Sequence, residues 1–244
     1  KSIRDSLESS AAIVSASKGL EISSGKRMSQ VLEDELPHYL HDRICALSGP
    51  NLSKEIVAGK PSSTVVACKN NNVTKMVQEL LTSSKFRIYT NTDIIGVELG
   101  GSLKNIIAIG AGICDGLSYG DNSKAAFITR GLAEITRLGI SAGAKPITFA
   151  GLAGMGDLIA TCSSKFSRNH YVGEELAKGR SVNEIQASMK NVAEGISTTS
   201  AAIMLAKKLH VEMPITQATY KILYENMHVG KAVAYLMGRA PLQE

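Results

Sequence analysis

The sequence predicts a chain in two parts: an α/β part, residues 1–91, built on a parallel, helix-covered sheet, and an all-α part, residues 92–244. Up to residue 90, short β-rich runs alternate with helical stretches, which is the pattern of strands joined by crossover helices. Beyond it, strand-like runs vanish and apolar residues recur at helical spacing. The composition, 44% hydrophobic and 20% charged over 244 residues, is that of a globular chain and excludes a disordered one.

In order, AAIVSAS (11–17) reads as a strand and KRMSQVLEDEL (26–36) as a helix ended by Pro37. RICALSG (43–49) is a strand, and NLSKEIVAG (51–59) is a short helix starting on an Asn51 cap. STVVAC (63–68) is a strand. NVTKMVQELLTS (72–83) is an amphipathic helix with Val73, Met76, Val77, Leu80 and Leu81 on one face, and FRIYT (86–90) is the last strand. TDIIGVELGGSLKNIIAIGAGICDGL (92–117) is a long apolar helix whose glycines allow close packing, at about 1 kcal/mol of propensity each. Further helices read at 122–143, 168–179, 181–189, 195–209, 214–226 and 229–238, with Pro214 in a first turn. No GxGxxG turn follows a strand, so residues 1–90 read as the second half of a dinucleotide-type sheet, opened in mid-helix at Lys1 and lacking a front segment.

Four cysteines, Cys45, Cys68, Cys114 and Cys162, form no CxxC pair, which predicts reduced thiols in a cytoplasmic protein. The net charge of +5 is scattered and suits an anionic small molecule. With 5% aromatic residues and no Trp, stacking of single-stranded bases is disfavoured and no nucleic-acid partner is expected. No run approaches eighteen consecutive apolar residues, so no membrane span is expected, and the first residues lack a signal-peptide block. The histidines give no metal constellation; His38 and His41 straddle a helix end without carboxylate or Cys partners at zinc spacing.

Several residues are candidates for chemistry. Lys18 follows the first strand, where open α/β sheets bind ligands; it is otherwise a surface lysine in a turn. SGPN (48–51) repeats the geometry with a turn and a helix start, an anion site or simply a tight turn. Lys104 lies among apolar residues, and burial lowers a lysine pKa towards the range a general acid/base needs; the alternative is a lysine snorkelling at a helix edge. Asp157 follows a Gly-rich turn and is either a helix cap or a hydrogen-bond acceptor for a hydroxyl. Ser167, Arg168 and Asn169 open a helix, as a phosphate clamp or as a cap beside a solvated Arg.

SKGLE, LSGPN, GVELGGSLKNIIAIGAGICDGL, GLAGMGDLIATC, SRN and VAEG, in that order, resemble the NAD(P)-dependent glycerol-3-phosphate dehydrogenases, most closely the bacterial type. The resemblance covers essentially the whole chain. It implies an α/β partial Rossmann-type sheet followed by an all-α C-terminal domain. It also implies interconversion of dihydroxyacetone phosphate and sn-glycerol 3-phosphate with NAD or NADP, feeding glycerophospholipid synthesis in the cytoplasm as a homodimer. By the same resemblance Lys104 is the catalytic lysine, and Lys18, Gly49, Asn51, Asp157, Ser167, Arg168 and Asn169 contact substrate. Lys18, Ser53, Arg168, Val192 and Glu194 contact the cofactor. Asn51 and Ser53 depart from the residues often found at their positions, Ser or Thr and Ala respectively. The alternatives are a non-catalytic helical dimerisation module and a related two-domain dehydrogenase acting on 3-hydroxyacids.

Overall fold

A computed structural model describes residues 4–240. The expected mid-helix opening at Lys1 lies outside those residues. Four strands, β1 (Ile13–Ser15), β2 (Ile44–Ser48), β3 (Ser62–Ala67) and β4 (Phe86–Asn91), form one sheet in sequence order. β1 pairs with β2 in parallel and β3 with β4 in parallel, but β2 and β3 are antiparallel, with Ala46 opposite Ala67. The sheet is therefore mixed, which corrects the all-parallel expectation. The cause is the connection: helix α2 (Ser53–Val57) is five residues, about 7.5 Å long, too short to carry the chain back along β2 for a parallel return. Gly59, at φ +71°, then turns the chain directly into β3.

The remaining helices of this part are α1 (Met28–Glu35) and α3 (Asn71–Leu81). α3 starts on Asn70, whose side chain accepts from the amides of Asn72 and Val73. Val73 and Val77 of α3 join Cys45, Val66, Cys68 and Ile88 in one cluster, with Met76 packed beside them. Leu80 (74% exposed) and Leu81 (40%) lie in its last turn outside that cluster, so the expected apolar face is shorter than its sequence spacing.

The second part has helices and no strand among its described residues: α4 (Ile94–Gly116), α5 (Gly120–Ser141), α6 (Pro146–Phe149), α7 (Asp157–Ser163), α8 (Arg168–Ala177), α9 (Val182–Ser188), α10 (Glu194–Lys208), α11 (Pro214–Tyr224) and α12 (Val229–Met237). α4 is the axis. It is long and apolar enough to span a membrane, but nearly all of it is buried in the protein core, where α5, α7, α8 and α10 surround it. Asp93 caps it, accepting from the Gly96 and Lys145 amides at 2.9 and 2.8 Å and from the Thr148 hydroxyl at 2.6 Å. Its first turns pack on the sheet, where Ile94 and Val97 meet Ala46, Val65 and Ala67. Glu98 ties it to α1 through the Ser29 amide (2.7 Å), the Ser29 hydroxyl (2.6 Å) and Arg27. α4 and α8 cross closely: a Cβ on Gly112 would stand 2.0 Å from the His170 carbonyl, and one on Gly173 1.9 Å from that of Ile109.

Candidate functional site

Lys104 sits in the middle of α4, 5% exposed. It does not snorkel to the surface. Its Nζ donates to the Thr161 hydroxyl at 2.6 Å and to Asn105 Oδ1 at 3.2 Å, and lies 3.1 Å from Asp157 Oδ1. Lys18, in the turn after β1, approaches from the sheet. Its Nζ donates to Asp157 Oδ2 at 2.6 Å and to the Gly49 carbonyl at 2.9 Å. One buried carboxylate therefore joins two ammonium groups carried by separate parts of the chain.

Asp157 is the first residue of α7, but its side chain does not cap that helix. The cap reading is therefore not what the structure shows, and the pairing with two lysines was not among the readings open from the sequence. A turn of π-helix, Leu152–Gly156, leads into α7. Thr161, four residues on and so on the same helix face, accepts from Lys104 and donates to the Asp157 carbonyl at 2.6 Å. Sequence reasoning passed over Thr161, although the spacing of four from Asp157 is the signal that would have found it.

Burial is the largest influence on Lys104 and pushes its pKa below the usual lysine range. The Asp157 carboxylate opposes this, and the nearby Lys18 charge adds to it. A lysine so placed exchanges a proton more readily than one in water.

Ser167 caps α8, accepting from the His170 amide at 3.3 Å. Asn169 is buried; its Nδ2 donates to Asn105 Oδ1 at 3.0 Å and its Oδ1 accepts from the Gly195 amide at 2.9 Å. Asn105 thus links Lys104 to the starts of α8 and α10. Arg168 is exposed and has no ion pair among the described residues. Glu194 is half-buried at the start of α10, and Val192, just before it, is 68% exposed.

At the sheet end, Asn51 does not cap α2, whose cap position is Leu52. Its Nδ2 instead donates to Thr64 Oγ1 at 2.7 Å, because the Gly49–Pro50 turn folds it back against β3. Its Oδ1 is buried with no hydrogen-bond partner. Ser53 is exposed in the first turn of α2. Ser48, the first residue of the SGPN segment, also keeps a partnerless buried Oγ, pressed against Gly101 of α4. His38 and His41 lie in a 3-10 turn with ring centroids 5.0 Å apart, and His41 Nε2 meets the Leu36 carbonyl at 3.0 Å.

Two family models match the chain: NAD-dependent glycerol-3-phosphate dehydrogenase N-terminus over residues 1–74, and the corresponding C-terminus over residues 93–234. The chain belongs to the NAD-dependent glycerol-3-phosphate dehydrogenase family. A glycerol-3-phosphate dehydrogenase [NAD(P)+] of Dehalococcoides mccartyi is 58% identical over 232 residues, 95% of this chain and 65% of that protein. One from Chlorobium limicola is 50% identical, covering 99% of this chain and 73% of the relative. The chain thus spans just under two thirds of the length of the Dehalococcoides relatives. Among solved structures, glycerol-3-phosphate dehydrogenase from Coxiella burnetii superposes with a TM-score of 0.91 at 37% identity, over 98% of this chain and 72% of that one. The mixed sheet followed by a helical domain is the architecture this dehydrogenase family member shares with it.

Proposed function

We propose that the protein interconverts dihydroxyacetone phosphate and sn-glycerol 3-phosphate with NAD or NADP as cofactor, and that Lys104 is its general acid/base. The observation that carries this reading is the Lys18–Asp157–Lys104 array: a buried lysine with a lowered pKa, held by a carboxylate that a second lysine shares. The family and the names of the relatives support the substrate and cofactor.

Protonated Lys104 donates a proton to the ketone oxygen of dihydroxyacetone phosphate during reduction, and neutral Lys104 takes it back from the C2 hydroxyl during oxidation. The two ammonium groups stabilise negative charge as it develops on that oxygen. Asp157 keeps them together and accepts from a substrate hydroxyl. Ser167, Arg168 and Asn169, at the N-terminus of the ten-residue α8, bind the phosphate through backbone amides and the guanidinium. Gly49 and Asn51 line the sheet side of the substrate.

The residues present fit a nicotinamide cofactor. The buried, partnerless Asn51 Oδ1 beside the Gly49 turn lies at the carboxyl end of a strand, where open α/β sheets receive ligands. Lys18, Ser53, Arg168, Val192 and Glu194 would hold the cofactor, which supplies the hydride when bound. As division of labour we assign residues 1–91 to the dinucleotide-binding domain and 92–244 to the helical substrate domain. The reading extends to a cytoplasmic homodimer that feeds glycerophospholipid synthesis, with no nucleic-acid or membrane-spanning role.

The test is a substrate panel with the full-length protein. NADH or NADPH oxidation that depends on dihydroxyacetone phosphate supports the proposal. Turnover of 3-hydroxyacids or 6-phosphogluconate in its place, or none with any substrate, contradicts it.

A further inference from the structure

A second concavity, sharing no residue with the lysine–carboxylate site, opens on the helical part. It is a trough of about 830 Å³ between α5 on one side and α11 and α12 on the other, with Gly110, Ile113 and Cys114 of α4 at its base. That volume is in the range of small-molecule sites. Its lining is largely apolar, including Phe127, Ala218, Ile222 and Leu236. It follows the seam between the two largest core clusters, and Leu236 packs on both. Met237, 81% exposed, stands uncovered at its rim.

The charged groups described in the trough are mainly cationic. Arg130 and Arg137, seven residues apart on one face of α5, line it together with Arg239 beyond α12. Among the described residues Glu134 is the single carboxylate in the lining, and its hydrogen bonds go to α11. Its oxygens accept from the Ile215 and Thr216 amides, both at 2.8 Å, and from the Thr216 hydroxyl at 2.7 Å, closing the N-terminus of α11. Arg137 and Arg239 converge instead on Glu212. Arg137 Nη2 donates to its carbonyl at 3.3 Å, and Arg239 Nη2 pairs with its carboxylate at 3.3 Å. The Glu212 side chain is 84% exposed, so this pair is screened by solvent and readily exchanged for another anion.

We propose that the trough binds a single-chain alkyl phosphate. The phosphate takes the place of the Glu212 carboxylate on Arg239 and draws in Arg137, which holds the backbone carbonyl of the same residue, as its second guanidinium; the chain lies along α5 over Phe127 towards Cys114. Two guanidiniums match the charge of a phosphate dianion better than that of a carboxylate, and their forked N–H groups suit its oxygens. From Arg137 back to Ser123 the wall is fourteen residues of helix, about 21 Å, room for a long alkyl chain.

Calorimetric titration of the intact protein with octyl, decyl and dodecyl phosphate, below their micellar concentrations, tests this independently of turnover. We expect one site whose affinity rises about tenfold for every two methylenes. Arg137→Glu should weaken dodecyl phosphate at least about tenfold through charge reversal; because the Arg137 charge also favours the buried Glu134 carboxylate, Arg239→Glu is the companion variant and should weaken binding as far with the melting temperature unchanged. Glu212→Gln should tighten it, because the competing carboxylate is gone. Dodecyltrimethylammonium should not bind. Affinity that ignores chain length or these substitutions would overturn the proposal, as would dodecanoate binding as tightly as dodecyl phosphate. So would failure of all the phosphates to bind while Arg137→Glu converts a dimer to monomers, since the trough is then an interface between copies.

Discussion

Asp157→Asn is the most informative single change, because it keeps the shape of the side chain and removes only its charge. In the native array Asp157 stands 3.1 Å from Lys104 and 2.6 Å from Lys18. An effective dielectric of 20 sets the Lys104 contact at a ceiling of about 5 kcal/mol, enough for the carboxylate to govern the charge state of the lysine. Burial and Lys18 already lower the Lys104 pKa, with Asp157 opposing them. Taking away the anion disfavours the ammonium further, so the pKa falls again. Reduction needs protonated Lys104, so its rate at neutral pH should drop and its pH profile should fall off at lower pH. Oxidation needs the neutral amine, so its rising limb should also move to lower pH. The assay is kcat/KM in both directions from pH 5 to pH 10, in the full-length protein. A limb that stays in place, or moves to higher pH, would refute the claim that Asp157 sets the charge state of Lys104.

Two other substitutions probe the surroundings. A Cβ at position 101 would stand 2.2 Å from Ser48 Oγ and 3.6 Å from Lys18 Cγ, so Gly101→Ala should cost about 1–3 kcal/mol of stability by overpacking. The Ser48→Ala/Gly101→Ala double variant should recover most of that in a denaturant melt; equal loss in both variants would show that the clash lies elsewhere. Arg168 is exposed, so Arg168→Ala should leave the melting temperature within a degree or so while raising KM for dihydroxyacetone phosphate at least about tenfold. An unchanged KM would remove it from the phosphate site.

Some of this was legible in the sequence because the physics is local. A lone lysine in an apolar helix must be partnered, and Lys104 is. The change from alternating strands and helices to continuous helical periodicity falls where the sheet ends at Asn91. Features that depend on three-dimensional closure were not legible. The antiparallel β2–β3 pairing follows from how little chain α2 supplies, and an apolar run carries no sign of strand direction. Asn51 reads as a cap by propensity, yet Thr64, distant in sequence, captures its amide. Asp157 reads as a cap too, and only the fold brings Lys18 to it across 139 residues. The ties of Glu98 to Arg27 and Ser29, and of Glu134 to α11, are equally non-local. Each became visible only as a buried carboxylate whose partners had to be found.

The central claim is that Lys104 moves the proton. The direct measurement is turnover of dihydroxyacetone phosphate by Lys104→Ala in the full-length protein, with circular dichroism to confirm that the fold is retained. The account predicts a fall of at least about 100-fold, the lower range for a positioned proton donor. Turnover within a few-fold of the unsubstituted enzyme would contradict it.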